Sequence, residues 1–93
     1  MDDKSITRTI ADSHQAGVDL LITDCRMALT LLDMAETTTL PESRSRQIGE
    51  AHHAYDTILH FLHRLSPTAE QAQQLNTQLE KLRTRLRAAG VSI

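Results

Sequence analysis

Two prolines set the layout of this chain. Pro41 and Pro67 divide its 93 residues into three stretches, and each stretch repeats apolar residues at three- and four-residue intervals. Proline fixes φ, lacks an N–H and disfavours helical geometry in the residue before it. A helix therefore stops before each proline, and another begins at or after it. Only three glycines accompany the prolines, too few turn residues for a hairpin-rich β fold. The expectation is an all-α chain forming an antiparallel three-helix bundle. Its helices should span about 5–36, 41–65 and 67–89.

The termini carry matching signals. Asp2, Asp3 and Ser5 suit a helix N-terminus, where acids meet the positive end of the dipole. Gly17 is a place for the first helix to bend or break, which would leave residues 5–16 as an additional short N-terminal helix. Thr39 and Glu42 have capping-box spacing around Pro41. Ser66 is positioned to cap a third helix that has Pro67 in its first turn. Gly90 supplies its C-terminal cap, and Lys81, Arg83, Arg85 and Arg87 lie in its last third, where cations meet the negative end.

The faces follow from 100° of rotation per residue. In the second helix Ile48, Ala51, Ala54, Tyr55, Ile58, Leu59, Phe61, Leu62 and Leu65 occupy one arc of about 160°, an ordinary core-facing stripe. In the third, Ala72, Leu75, Leu79, Leu82, Leu86 and Ala89 form a narrow coiled-coil seam. In the first, Ile10, Val18, Leu21, Cys25, Ala28, Leu29, Leu32 and Ala35 form the main face. Leu20, Met27, Leu31 and Met34 widen it to about 240°. Two companion helices cover less than that. Either the first helix is central in the bundle, or a second copy of the chain packs on Leu20, Met27, Leu31 and Met34, most simply as a two-fold homodimer. The alternative is that residues 1–16 fold back over the stripe.

At 10.4 kDa the chain suits one small domain with one core and excludes a multidomain enzyme. Residues 1–37 hold seven acids and three bases, whereas residues 67–93 hold two acids and four bases. Opposite ends of the sequence should therefore attract one another, weakly where solvent screens them. A net charge of −2 gives no general attraction to nucleic acid or anionic lipid. The basic run from Lys81 to Arg87 has no interleaved aromatics, so no nucleic-acid partner is expected. Val18–Ala35 is the most apolar stretch, but it contains Asp19, Asp24, Arg26 and Asp33, so no membrane span is expected either. One cysteine and a start of Met1-Asp2-Asp3-Lys4 point to a reducing, cytoplasmic setting.

Few residues suggest chemistry. His52, Asp56, His60 and His63 fall within about 80° on the second helix, with His53 beside them. Imidazoles one helical turn apart can chelate a transition ion, so zinc or nickel is the cofactor this stripe would take. The stripe lies opposite the apolar arc, where histidine is also an ordinary surface residue. Glu50 and His53 make one Glu-x-x-His pair, whereas a di-iron bundle needs two and further carboxylates. Asp24 falls inside the wide apolar arc. It is paired with an Arg or His from another helix, sits at a solvated rim, or is a device that fixes helix register or a dimer interface. Cys25 reads as a small core residue rather than a nucleophile. No nucleophile elbow, phosphate loop or zinc-finger cysteine set occurs. A phosphotransfer histidine domain would need a lysine and a glycine at fixed spacing after its histidine, and the arrangement is missing.

The segment Ala-His-His-Ala-Tyr-Asp-Thr-Ile-Leu-His-Phe-Leu-His-Arg-Leu at 51–65, with Asp33-Met34-Ala35-Glu36-Thr37-Thr38 before it, resembles small bacterial helical-bundle proteins of unknown function. The resemblance covers roughly residues 25–90 and implies a helical hairpin with a leucine-rich third helix, not an activity. The spacing of Ala51, Tyr55 and Ile58 is also similar to the second helix of a tetratricopeptide hairpin, although one unit stands where such folds need about three. The expected function is that of a non-enzymatic interaction or adaptor module that self-associates through its first helix. The alternative is a metal-binding protein using the histidine stripe, and a protein partner of another kind for the first helix is a third reading.

Overall fold

A computed structural model describes the backbone of residues 3–93 and the side chains of residues 15–93. Three helices follow one another: α1 (Asp3–Thr37), α2 (Pro41–Leu62) and α3 (Ala69–Ala88). The chain is an all-α three-helix bundle. α1 is one helix of 35 residues, unbroken at Gly17, so no separate N-terminal helix forms. The proposed caps of α1 at Asp2, Asp3 and Ser5, and Ile10 of its core face, lie outside the described side chains.

The helix ends correct three expectations. α2 begins at Pro41, but its N-cap is Leu40, whose backbone is extended (φ −95°, ψ 113°), and no side chain caps it. Proline forces this geometry on the residue before it, which displaces Thr39 from the capping position. α2 ends at Leu62, three residues early, because Arg64 and Leu65 donate to the carbonyls of Phe61 and Leu62 in tighter i→i+3 turns. Ser66 and Pro67 then lie outside α3, and Thr68 is its N-cap. Thr68 Oγ1 accepts from the N–H of Gln71 at 3.1 Å, and the Gln71 side chain accepts from the N–H of Thr68 at 3.1 Å. That reciprocal box satisfies two otherwise orphaned donors. At the far end Gly90 adopts φ +97°. The N–H of Val91 reaches the Leu86 carbonyl and that of Gly90 the Arg87 carbonyl, both at 3.0 Å, completing a Schellman closure.

The core is aliphatic. Val18, Leu21, Ile22, Cys25, Ala28, Leu29 and Leu32 of α1 pack with Ala51, Tyr55 and Ile58 of α2 and with Leu75, Leu79, Leu82 and Leu86 of α3. Burying each leucine stabilises the fold by about 1.5–3 kcal/mol. α1 contacts both other helices more extensively than they contact each other, so it is the spine of the bundle. The expected arc of α2 is only partly used: Leu59 and Phe61 remain exposed. Ala89 of the α3 seam is exposed as well, because it already belongs to the closing turn.

Polar links set the helix directions. Gln71 near the start of α3 donates to Asp19 Oδ1 at 3.0 Å and to the Gln15 carbonyl at 3.2 Å. Arg85 near the end of α3 bonds Asp33 at 2.7 Å and Glu36 at 3.0 Å. α3 thus runs parallel to α1, and α2 runs antiparallel to both. The sequence's acidic start and basic end meet here, within one chain. At the same end of the bundle Arg44 donates to the carbonyls of Ala35 (3.2 Å) and Thr38 (3.0 Å), covering the exposed C-terminal end of α1.

α1 is longer than the bundle it organises. Gly17 packs against Leu65, and Gln15 against Gln71, so the turn between α2 and α3 lies level with residues 15–19. The helix from residue 3 to 14 therefore continues past the body by about 18 Å at 1.5 Å per residue. The molecule measures 58 × 20 × 18 Å with a radius of gyration of 16.0 Å, against about 12 Å for a compact chain of this length. Its accessible surface is 6366 Å², roughly 1,000 Å² above the value expected for its mass.

Candidate interaction surface

The side of α1 turned away from the core carries an exposed line of large apolar side chains. Leu20 is 61%, Met27 62% and Met34 48% exposed. Leu31 differs from the other three: it is half-buried and packs against the core. Because α1 runs straight through Gly17, its own first turns do not fold back over the line, which removes the intramolecular alternative.

Between these residues stand threonines. Leu20, Thr23, Met27, Thr30, Met34 and Thr37 are spaced 3, 4, 3, 4, 3, and all six are exposed. The buried face carries Val18, Leu21, Cys25, Ala28, Leu32 and Ala35 at the same spacing, two residues out of step. Two residues are about 200° on a helix, so α1 has two opposite seams, one filled by α2 and α3 and one open. The hydroxyls of the open seam are already satisfied. Thr23 Oγ1 donates to the Asp19 carbonyl (3.1 Å), Thr30 to that of Arg26 (3.0 Å), and Thr37 to those of Asp33 (3.3 Å) and Met34 (3.2 Å). A hydroxyl turned back to the helix leaves the threonine to present its methyl group. Reading apolar residue types alone missed these three. The heptad spacing was the signal that would have found them.

Two shallow depressions flank the seam. One is lined by Arg26, Met27, Thr30, Leu31 and Glu50. The other is lined by Leu20, Asp24, Phe61 and Arg64. Asp24 is half-buried at the seam's edge, and among the described residues no ion pair forms on it. Phe61 is 43% exposed beneath the Arg64 guanidinium, whose carbon lies 5.7 Å from the ring centre.

The histidine stripe separates into two pairs. His52 Nε2 lies 3.4 Å from Asp56 Oδ2. One turn further on, the rings of His60 and His63 stand edge to face with centroids 6.2 Å apart, and His60 also meets Phe61 at 5.0 Å. His63 sits at the C-cap of α2, not within the helix. Among the described residues no three His, Cys, Asp or Glu side chains converge to hold a metal ion, so His52, Asp56, His60 and His63 are neighbours without forming one ligand set.

Cys25 has no accessible surface, and burial, helped by the adjacent Asp24 charge, pushes its thiol up to about 11. It stays protonated and unreactive at neutral pH. The arginines of α3 are tied down internally. Arg83 donates to Tyr55 Oη at 2.8 Å and pairs with Glu80, Arg85 holds the two α1 carboxylates, and Arg87 donates to the Ile93 carbonyl at 2.7 Å. None of the three helices is long and apolar enough to cross a membrane.

Comparison with protein-family models, with curated proteins and with solved structures gave no match to this chain. The geometry of its own surface is therefore the basis for a functional reading.

Proposed function

We propose that this chain is a non-enzymatic helical interaction module that self-associates through the outward face of α1. The observation behind this reading is the alignment of Leu20, Met27 and Met34 in one exposed line on a helix whose own start does not return to cover them. Apolar lines of this kind on small domains mark contact surfaces.

The test is the mass in solution. Light scattering should give about twice the 10.4 kDa chain mass at micromolar concentration. Met27→Asp and Met34→Asp should each return a folded monomer, because both side chains are exposed and neither supports the core. Leu31→Asp is less informative, since Leu31 also packs inward. A wild-type mass of one chain, or a dimer unmoved by both substitutions, would overturn the reading.

A further inference from the structure

The open seam also has a direction and a register written into its charges. Resting on the self-association just described, we propose that two copies pair antiparallel along it, with Leu20 of one copy opposite Thr37 of the other.

The argument starts from the residues that flank the seam. On one side lie Asp19, Arg26 and Asp33, each one residue before a large apolar side chain. On the other lie Asp24 and Leu31, each one residue after a threonine. In a parallel pair each flank faces the opposite flank of the partner five residues further on. Asp19 would then face Asp24 of the second copy, twice over by symmetry, while Arg26 would face Leu31. That arrangement sets like charges together and leaves the cation unused.

In an antiparallel pair each flank faces the same flank of the partner. Three registers then pair at least four of the six seam residues with one another. With Leu20 opposite Thr30, Arg26 meets Arg26, Asp19 meets Asp33 and Asp24 meets Asp24, so every charged flanking pair repels. With Met27 opposite Thr37, Asp33 meets Asp33, so the flanking carboxylates repel. With Leu20 opposite Thr37, Arg26 meets Asp33 and Asp33 meets Arg26, and no charged pair on either flank repels. The same register places Thr23 opposite Met34 and Met27 opposite Thr30. Every large side chain then faces a threonine methyl, the big-against-small alternation that lets layers interdigitate.

The single chain leaves these groups available. Arg26 is exposed, and among the described residues it takes part in no ion pair. Asp33 already holds Arg85 but remains 67% exposed, with room for a second cation. Thr23, Thr30 and Thr37 bring no unsatisfied hydroxyl into the contact, because each donates to its own helix.

Cysteine cross-linking tests the register, and Cys25 does not compete because it is buried. Leu20→Cys and Thr37→Cys chains, one carrying a tag that shifts its mass, are mixed, allowed to exchange and mildly oxidised. The mixture should give the covalent heterodimer, and neither variant alone should cross-link. Thr37→Cys cross-linking to itself would show a parallel pair. Leu20→Cys joining Thr30→Cys or Thr23→Cys instead would show another register. Either result overturns the inference while leaving self-association through α1 standing. A dimeric mass with no cross-link in any combination, or a monomeric mass, overturns both. Charge exchange gives a second measurement. Arg26→Asp and Asp33→Arg should each weaken association roughly tenfold, and the double exchange should restore it. A double variant as weak as the singles would also refute the register.

Discussion

Two glycines inside helices give a matched pair of stability experiments. Gly49 lies mid-way along α2, and an added Cβ there meets nothing within 4 Å. Gly49→Ala should therefore realise the full helix-propensity difference, about 0.8–1.0 kcal/mol, with no packing cost. For a domain of this size that is a rise in Tm of about 4–8 °C. Gly17 lies in α1, where an added Cβ would sit 3.1 and 3.3 Å from the two methyls of Leu65. Those contacts are a few tenths of an ångström too close. Leu65 belongs to the turn after α2 and is only half-buried, so its side-chain tip can give way. The same propensity gain is then partly offset, and Gly17→Ala should stabilise by about half as much as Gly49→Ala. Thermal unfolding followed by circular dichroism, at one fixed protein concentration because association shifts Tm, measures both. Equal gains at the two sites would show that Leu65 does not close on α1. A loss at Gly49 would refute the placement of that residue inside a helix.

Two further outcomes follow from the helix ends and the core. Thr68→Ala should cost about 1 kcal/mol by removing the N-cap of α3, whereas Ser66→Ala should cost nearly nothing, and chemical denaturation of the two variants compares them. Cys25 titrates near 11 when folded against an ordinary 9.0. Because the unfolded thiol loses its proton first, stability should fall as pH rises from 9 towards 11, by on the order of 2 kcal/mol. Cys25→Ala should remove that part of the slope; an unchanged slope would mean that Cys25 is not shielded in the fold.

The parts of the fold that depend on local periodicity were legible in the sequence. The heptad leucines of α3, Leu75, Leu79, Leu82 and Leu86, are buried as their spacing implies, and so is the inner face of α1 from Val18 to Ala35. The errors lie at the helix ends. There a proline acts on its predecessor, so Leu40 takes the N-cap although Thr39 has the better side chain. Likewise Thr68 with Gln71 completes a box that Ser66 has no partner to match. Whether α1 breaks at Gly17 was also beyond local reasoning, because Leu65, a residue distant in sequence, packs against that position.

The candidate surface was half legible. Leu20, Met27 and Met34 stand out as apolar excess. Leu31 was grouped with them because a wheel built on uniform rotation cannot tell a residue at the rim of the core from one beyond it. The threonines escaped notice because their hydroxyls look polar until a backbone acceptor four residues earlier is seen to satisfy them. The separation of the histidine stripe into His52–Asp56 and His60–His63 also needed coordinates, since an angular span on a helix says nothing about side-chain direction.

The stretch of α1 that outruns the bundle gives such a pair an unusual geometry. In an antiparallel arrangement centred near residue 28, the two free stretches would point away from each other. At 1.5 Å per residue their tips would stand about 75 Å apart. The assembly would act as a spacer bar with a thick middle and two slender arms, holding whatever engages each arm at a fixed distance and on opposite sides.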